Sequence, residues 1–328
     1  MSSLRAILLV AVALALDGCG GTTGVDRPNQ EASLLLDFTP NGVHAGIYVA
    51  TARGYDDAEG VALDVRAPSA STDALRLLQG ARADMAILDI HDLGLALQEG
   101  ADVVGVMALV QRPLASVLAQ PDVRRPRDLE GGRAGVTGLP SDVAVLRTVV
   151  AGDGGDPERV RTTTIGFEAV KALLAGRVDG ATAFWNVEGV AVREQRPRMR
   201  EFRVDDYGAP AYPELVLCVS RETLEQRRPV VAATIRALQR GYTQAQTDPE
   251  SAVSALLDAG TGLDRAAAQA QLDAVAPAFT AGARAYGELR EDVLRDWARW
   301  DVESGILERE PDIDRAFDLS LVGPVERD

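Results

Sequence analysis

The sequence predicts an α/β fold of two lobes, with a ligand cleft between them and a helical C-terminal buttress. Short apolar runs of strand length alternate with amphipathic stretches, and this alternation is typical of mostly parallel sheets. A helix stopped by Gly, a turn with Asp and a buried strand occur together at 74–88 and again at 169–184. With 328 residues, of which 46% are apolar, the chain is long enough to build two cores.

The individual elements follow from the same periodicities. Short β-branched or apolar runs predict strands at Leu34–Phe38, Ala62–Arg66, Met85–Leu88, Val103–Val110, Ala134–Thr137, Thr163–Ile165 and Ala181–Trp185. Amphipathic segments predict helices at 43–53, 72–80, 92–99, 141–151, 167–176, 222–247, 249–259, 264–275 and 290–304. Two apolar segments, Leu114–Ala119 and Tyr212–Leu217, are expected to carry the chain between the lobes. We therefore predict a first lobe at 33–115 plus 216–328, with the C-terminal helices, and a second lobe at 116–215.

The N-terminus has the features of an export signal. Arg5 precedes Ala6–Leu16, an apolar stretch of 11 residues that is too short to span a bilayer as a mature helix. The residues before Cys19 resemble a bacterial lipobox, except that Asp17 occupies a position where small residues are usual. We therefore expect 1–18 to be a lipoprotein signal peptide and Cys19 to be lipidated, with ordinary signal cleavage as the alternative. The polar stretch that follows, 19–32, is predicted to be a flexible tether.

Composition narrows the classes of function. The formal net charge of −15 disfavours binding to nucleic acid, so no such partner is expected. Two Cys and two His are too few for a Cys/His zinc site, and neither a metal nor a cofactor is predicted. Cys218 lies in an apolar run and is expected to be a buried, inert thiol. No later segment reaches about 18 apolar residues, so none is predicted to span a membrane.

A strand, a sharp turn and a helix start follow one another at Leu34–Ala50. This order places Asp37, Phe38, Asn41 and His44 where the carboxyl end of a strand meets a helix N-terminus. Ligands of open α/β sheets bind in that crevice, and the free N–H groups of the helix end add partial positive charge. We therefore predict that these four residues form one wall of a ligand site. Asn41 as a turn residue and Phe38 as a core residue are the alternatives.

A second wall is predicted where Trp185, Asn186 and Glu188 follow a strand and open a helix. The Trp185 indole offers a flat face for a heteroaromatic ring, and the Glu188 carboxylate can accept two N–H bonds from an amino-pyrimidine edge. The Asn186 amide can donate and accept. The alternatives are a core Trp, an N-cap Asn and a Glu that favours the first helical turn.

Two further loops are predicted to border the cleft. Asp89 and His91 follow the third predicted strand and are candidates for ligand contact, with Asp89 or Asp92 as a helix cap being the alternative. Gly138, Pro140 and Ser141 lie at a helix start. A Pro at the first helical position beside free N–H groups suits an anionic or carbonyl oxygen of a ligand, and simple capping is the alternative.

The strand-turn-helix residues resemble the opening motif of one group of transport proteins. This group is the NMT/SsuA-like substrate-binding proteins of ABC importers, among them those for thiamine-pyrimidine precursors. The wider superfamily includes sulfonate, nitrate and taurine binding proteins and the yeast thiamine-pyrimidine synthase. Phe38 stands where Trp is usual in the motif. The resemblance covers about residues 33–260, and its blocks are Asp37–Asn41 with His44, Tyr48–Ala50, Gly54-Tyr55, Pro126–Gly131, Thr137–Asp142, Phe184–Gly189 and Tyr207–Leu215.

The resemblance implies a fold of the periplasmic-binding-protein type with a small heterocyclic ligand in the interlobe cleft, and it adds Tyr212 to the candidate ligand residues. It favours an aminopyrimidine thiamine precursor, with thiamine, riboflavin or a small sulfonate as alternatives. The carboxylates of Asp37, Asp89 and Glu188 argue against a sulfonate, because an anion would meet unpaired negative charge. The implied protein is a monomeric, exported lipoprotein that is anchored at the outer face of the cell membrane and delivers its ligand to an ABC transporter permease.

The alternative activity is that of the yeast synthase. Its pattern combines a lysine for pyridoxal phosphate, an active-site histidine and a cysteine-rich iron-binding run. His91 falls near the histidine of that pattern, but only Cys218 stands where the cysteines would be. Lys171, the only lysine of the sequence, lies in the helix predicted at 167–176. Because a Schiff base needs a lysine in the cleft, we predict a binding protein and not an enzyme.

Overall fold

The computed structural model describes residues 29–70 and 72–323. Two lobes are each built around a five-stranded sheet with helices packed on it, which confirms the predicted fold class. The predicted signal peptide, Cys19 and most of the predicted tether lie outside the described residues. Within the described ranges, no helix is both long and apolar enough to cross a membrane.

Ten strands of the described chain form the two sheets. The first sheet contains β1 (Gln30–Leu35), β2 (Val61–Arg66), β3 (Met85–Asp89), β4 (Val103–Ala108) and β10 (Leu215–Ser220). The second contains β5 (Ala115–Ala119), β6 (Arg133–Val136), β7 (Arg161–Thr164), β8 (Gly180–Phe184) and β9 (Arg200–Arg203). Their spatial orders are β2-β1-β3-β10-β4 and β7-β6-β8-β5-β9.

Each sheet is mostly parallel, as predicted, and contains one strand that runs against its neighbours. β10 pairs antiparallel with β3 and β4, and β5 pairs antiparallel with β8 and β9. The chain reaches both strands directly from the other lobe, so it enters each sheet from the cleft side. The parallel strands β1, β3, β6 and β8 run the opposite way, and their carboxyl ends therefore face the cleft.

The helices of the described chain include all nine predicted segments, with ends shifted by at most two residues. α7 begins at Glu188, where a helix start was expected, whereas the short α2 and α12 were not predicted. The helices are α1 (Ala45–Ala52), α2 (Tyr55–Ala58), α3 (Asp73–Gln79), α4 (Ile90–Gln98), α5 (Pro140–Gly152), α6 (Ala169–Leu174), α7 (Glu188–Gln195), α8 (Arg221–Thr247), α9 (Pro249–Asp258), α10 (Arg265–Val275), α11 (Glu291–Glu303) and α12 (Ile313–Ala316).

Two neighbouring segments carry the chain between the sheets. The outward segment joins β4 to β5 and the return segment joins β9 to β10. The backbone N–H of Leu109 donates to the carbonyl of Leu215 at 2.8 Å. The Glu214 carboxylate accepts the backbone N–H groups of Leu114 at 2.5 Å and Ala115 at 2.9 Å. These bonds hold the two crossings side by side at the base of the cleft.

The C-terminal helices pack on the first lobe and fix the helix that follows the opening motif. Gly46 of α1 and Gly241 of α8 allow the two helices to touch, because a Cβ on Gly241 would lie 2.1 Å from the Gly46 carbonyl oxygen. The buried Tyr242 hydroxyl donates to the carbonyl of Val43 at 2.7 Å. The Tyr242 ring also stacks on Tyr286, with centroids 4.1 Å apart. The predicted C-terminal buttress therefore holds the strand-turn-helix segment in place.

Candidate ligand-binding cleft

A cavity of about 360 Å³ lies between the two lobes. The turn after β1, helix α3 and the start of α4 form its first-lobe wall, and the loops after β6, β7 and β8 form its second-lobe wall. Among the predicted ligand residues, the structure places Asp37, Phe38, Asp89, Ser141 and Glu188 at this cavity. Further residues that line it and were not predicted include Asp92, Asp142, Phe167 and Phe184.

The opening motif presents Asp37 to the cavity and buries two of its neighbours. Asn41 caps a short 3₁₀ turn: its side-chain oxygen accepts the N–H of Val43 at 2.9 Å. The backbone N–H of Asn41 donates to Nδ1 of His44 at 3.2 Å, so Nδ1 is an acceptor and Nε2 carries the proton. Nε2 of His44 then donates to the Asp37 carboxylate at 2.9 Å. Asn41 and His44 are both buried and away from the cavity, so they position Asp37 and do not line the site.

Three phenylalanines supply the aromatic surface of the cavity. Phe38 in the first lobe and Phe167 in the second meet edge to face, with ring centroids 4.4 Å apart and planes at 73°. Phe184 lines the same cavity at the end of β8. Phe167 was not predicted because the sequence pattern places it at the start of the helix expected at 167–176, whereas in the structure it lies in the turn before α6. Phe184 belongs to a block that resembles the family, but the predicted ligand residues of that block begin one position later, at Trp185.

Trp185 was expected to face the ligand, but the structure places it behind the cavity wall. Its side chain is buried, its Nε1 donates to the carbonyl of Pro113 at 3.0 Å, and the Arg203 guanidinium lies 4.2 Å from the ring centroid. Trp185 therefore joins the second lobe to the outward crossing. Asn186 is also fully buried and away from the cavity, and neither its amide nitrogen nor its amide oxygen has a hydrogen-bond partner among the described residues.

Glu188 is the first residue of α7 and presents its carboxylate to the cavity. One carboxylate oxygen accepts the backbone N–H of Phe184 at 3.2 Å. Burial raises the pKa of Glu188 to about 7, backbone hydrogen bonds oppose this shift, and the negative charges of Asp142 and Asp37 add to it. At neutral pH the side chain is therefore close to its midpoint and can accept N–H bonds once a donor enters the cavity.

Asp89, Asp92 and Asp142 place three more carboxylates on the cavity wall. Asp89 caps α4 by accepting the N–H of His91 at 2.8 Å, which is the alternative role expected for it. Asp142, in the first turn of α5, accepts the N–H of Thr137 at 2.7 Å. Burial raises the pKa of all three carboxyl groups, and the charge of Asp89 adds to the shift at Asp92.

The remaining predicted residues lie in the loop before α5 and in the first turn of that helix. Ser141 is buried and lines the cavity beside Asp142. Gly138 has a φ of +109°, a left-handed conformation that favours glycine, and it is not part of the cavity wall. Pro140 begins α5, as its place at the first helical position predicts.

His91 and Tyr212 were predicted to contact ligand, but both are fully buried and away from the cavity. Nδ1 of His91 lies 2.9 Å from the Asp301 carboxylate of α11, and the His91 ring packs edge to face on Tyr212 with centroids 4.8 Å apart. Burial alone lowers the pKa of His91, but the charge and hydrogen bond of Asp301 outweigh it and raise the pKa to about 10. The buried ion pair joins α4 to the C-terminal helices and makes no part of the ligand surface.

Acidic side chains outnumber basic ones in the described cavity lining. Among the described lining residues, Arg76 has the one cationic side chain, and its guanidinium is paired with Asp73 at 2.6 Å. An anionic ligand would therefore meet several carboxylates and one cation that is already engaged. A ligand with N–H donors would meet acceptors and aromatic faces.

The two-lobed fold with an interlobe cleft is that of the periplasmic binding proteins. Residues 41–252 match the NMT1/THI5 like family, and the chain belongs to this family. The match includes the second-lobe wall and most of the first-lobe wall, and it begins after Asp37 and Phe38. It confirms the family that the sequence motifs indicated.

Among known proteins, the chain is similar to a formylaminopyrimidine-binding protein of Halalkalibacterium halodurans, with 33% identity over 78% of this chain and 79% of the relative. It is also similar to a 4-amino-5-hydroxymethyl-2-methylpyrimidine phosphate synthase of Legionella pneumophila, with 24% identity over 70% and 74%. The structure resembles that of the alkanesulfonate-binding protein SsuA from Xanthomonas axonopodis pv. citri bound to MOPS. That match has a TM-score of 0.71 and 16% identity and covers 89% of this chain and 99% of the other, so it shows the fold alone.

Proposed function

We propose that this protein is the solute-binding component of an ABC importer and captures a small nitrogen heterocycle, with an aminopyrimidine thiamine precursor as the favoured ligand. The observation that carries this proposal is the pairing of the Glu188 carboxylate with the aromatic surface of Phe38, Phe167 and Phe184 in one cavity. A carboxylate accepts N–H bonds from an amino-pyrimidine edge, and the aromatic rings contact its flat faces. The similarity to a formylaminopyrimidine-binding protein supports the same ligand class.

Capture by lobe closure follows from the same arrangement. The cavity is lined from both lobes, and two adjacent crossings form the only described connections between the sheets. Rotation about two neighbouring segments opens and closes a cleft without disturbing either core. A closed, ligand-loaded form would then be the form that the permease recognises. We propose that the protein acts as a monomer that is exported and anchored through Cys19.

A synthase activity is the second candidate, because relatives of this family carry that name. The residues of this chain support it less well. Lys171, the only lysine, lies on α6, is exposed and pairs with Glu168 at 2.8 Å. It is not among the residues at the cavity, so no described cavity residue can form a Schiff base. The cavity is better suited to binding without catalysis.

The proposed ligand class can be tested by titration calorimetry with formylaminopyrimidine, thiamine, riboflavin and taurine. We expect tight binding of the aminopyrimidine and none of taurine. Glu188→Gln exchanges one acceptor oxygen for a donor and should weaken aminopyrimidine binding by about 2–5 kcal/mol if the bond is fully desolvated. Glu194→Gln, on the exposed side of the same helix, is the matched control. Tight binding of taurine, or unchanged affinity in Glu188→Gln, would contradict the proposal.

A further inference from the structure

We propose that the cleft selects a heterocycle that carries a positively charged amino group, and that Asp92, with Asp89 and Asp142, holds this group. The inference rests on the proposed function and adds the charge of the ligand to it. In this arrangement the aromatic residues and Glu188 bind the heterocyclic ring, and the aspartates bind its amino group. The three aspartates form what we term the acidic end of the cavity.

The acidic end is assembled from both lobes. Asp89 and Asp92 lie at the start of α4 in the first lobe, and Asp142 lies in the first turn of α5 in the second. All three line the cavity. Their charges are close enough to interact, since both Asp89 and Asp142 raise the pKa of Asp92. A group bound here would therefore touch both lobes and favour closure.

The hydrogen bonds of the three carboxylates differ. Asp89 and Asp142 each accept a backbone N–H, from His91 and Thr137 respectively. Among the described residues, the one hydrogen bond to Asp92 comes from the Ser141 hydroxyl, and it opposes the effect of burial on the pKa of Asp92. Asp92 is therefore the carboxylate with the most unused capacity to accept hydrogen bonds.

A fourth acidic group lies behind this end of the cavity. Glu214 is fully buried, and its charge raises the pKa of Asp89. Its Oε1 has no hydrogen-bond partner among the described residues. The cationic side chain at the cavity wall, Arg76, is paired with Asp73. His91 lies behind the acidic end, where it pairs with Asp301, and its positive charge partly offsets the effect of burial on the pKa of Asp89 and Asp92. None of the described residues that line the cavity brings a free positive charge to the acidic end.

The charges at the acidic end indicate which chemical group a ligand would place there. Buried carboxyl groups that outnumber the positive charges near them bind protons, and burial raises the pKa of each of these three groups accordingly. A primary ammonium group can replace the protons, because it brings one positive charge and three N–H donors on a compact centre. A hydroxyl or a formamide supplies one donor and no charge. Charge-assisted bonds are roughly twice as strong as neutral ones.

Three ligands that share one ring and differ in the charge of the 5-substituent test this inference. They are 4-amino-2-methylpyrimidines that carry a 5-aminomethyl, a 5-hydroxymethyl or a 5-formylaminomethyl group. In calorimetric titrations of the full mature chain near neutral pH, we expect the aminomethyl compound to bind roughly 10- to 100-fold more tightly than the hydroxymethyl compound. Lowering the pH should weaken aminomethyl binding, because protonated carboxyl groups no longer pair with ammonium.

Variants of the acidic end test whether its carboxyl groups cause the preference for the aminomethyl compound. In Asp92→Asn, the ratio between the aminomethyl and hydroxymethyl affinities should fall to within about threefold. Asp258→Asn makes the same change in net charge at an exposed site on α9 and should keep the wild-type ratio. Circular dichroism and thermal melting check that each variant is folded, and Asp142→Asn provides a second variant if Asp92→Asn does not fold.

The outcomes distinguish this inference from the proposed function. Equal or weaker binding of the aminomethyl compound, with tight binding of either neutral compound, overturns the inference and leaves the aminopyrimidine function standing. An unchanged ratio in both Asp92→Asn and Asp142→Asn also overturns it. Failure of all three compounds to bind contradicts the proposed function itself.

Discussion

Phe38 of the first lobe and Phe167 of the second meet edge to face across the cleft, with ring centroids 4.4 Å apart. Both rings also line the cavity. The pair therefore does two things at once, since it links the lobes directly and supplies apolar surface to a ligand. An aromatic pair of this geometry contributes roughly 0.5–1.5 kcal/mol beyond its area burial.

The Phe38–Phe167 pair makes a prediction for ligand affinity. Phe38→Ala and Phe167→Ala should each weaken binding of the aminopyrimidine roughly tenfold or more, because each removes a ligand contact and the interlobe contact. The double variant should lose less than the sum of the two, since the interlobe contact is lost only once. Calorimetric titration of all four proteins measures this. Strict additivity of the two losses would show that the rings act independently.

The raised pKa of Glu188 predicts how the stability of the ligand-free protein changes with pH. Its pKa is about 7 when folded, above the ordinary value of 4.5, so the ionised form disfavours folding. Its contribution to stability is fully present below about pH 4.5 and is lost as the pH rises through 7. The loss corresponds to about 3 kcal/mol at most, at 1.36 kcal/mol for each pKa unit. Urea unfolding of the wild type and Glu188→Gln at pH 5 and pH 8 measures it.

In this experiment, Glu188→Gln should be more stable than the wild type at pH 8, and the difference should shrink toward pH 5. Glu194→Gln changes an exposed carboxylate of the same helix and should show no such difference. A constant gap between Glu188→Gln and wild type at both pH values would mean that Glu188 is ionised with an ordinary pKa.

Local sequence patterns were sufficient to predict most of the secondary structure and part of the cleft; α2, α12 and β9 were not predicted. The strand-turn-helix at the opening motif and the helix start at Glu188 are decided by neighbouring residues, and both face the cavity as expected. The carboxyl ends of parallel strands gather at one edge of a sheet, so placing Asp37 and Asp89 together needed no tertiary information. The antiparallel course of β5 and β10 was not predicted, because it depends on the direction from which the chain enters each sheet.

The errors in the site concern side chains whose partners are distant in sequence. Trp185 turns away from the cavity toward a carbonyl that lies 72 residues earlier. His91 pairs with an aspartate 210 residues later. A residue type that suits ligand binding also suits such buried contacts, and its local sequence does not distinguish them. Phe167 likewise meets Phe38, a residue of the other lobe that lies 129 positions earlier in the sequence.

The predicted anchor can be tested separately from ligand binding. Cys19→Ser should release the protein from the membrane fraction, because lipidation requires the thiol. The matched control is Cys218→Ala, since Cys218 is fully buried in β10 and burial raises the pKa of its thiol far above the usual range. We expect this variant to stay in the membrane fraction. Unchanged membrane partition of Cys19→Ser would contradict anchoring through this residue.

The buried hydrogen bonds of Glu214 predict how much this side chain stabilises the two crossings. Its carboxylate accepts the N–H groups of Leu114 and Ala115, which belong to the other crossing, and all of these groups are buried. In Glu214→Ala two buried N–H groups lose their acceptor, at a cost of about 1–3 kcal/mol each. Unfolding in urea should therefore show a loss of roughly 2–6 kcal/mol. Glu225→Ala, which removes an exposed carboxylate from α8, should change stability by less than about 0.5 kcal/mol.

Glu214→Gln separates the hydrogen bonds from the charge at this position. Its amide oxygen can still accept from Leu114 and Ala115, and its amide nitrogen can donate to Asp89. We therefore expect Glu214→Gln to be clearly more stable than Glu214→Ala. Because the negative charge of Glu214 raises the pKa of Asp89, removing it should also let Asp89 ionise at lower pH. Equal losses of stability in Glu214→Gln and Glu214→Ala would show that the charge of Glu214, and not its acceptor oxygen, holds the crossings together.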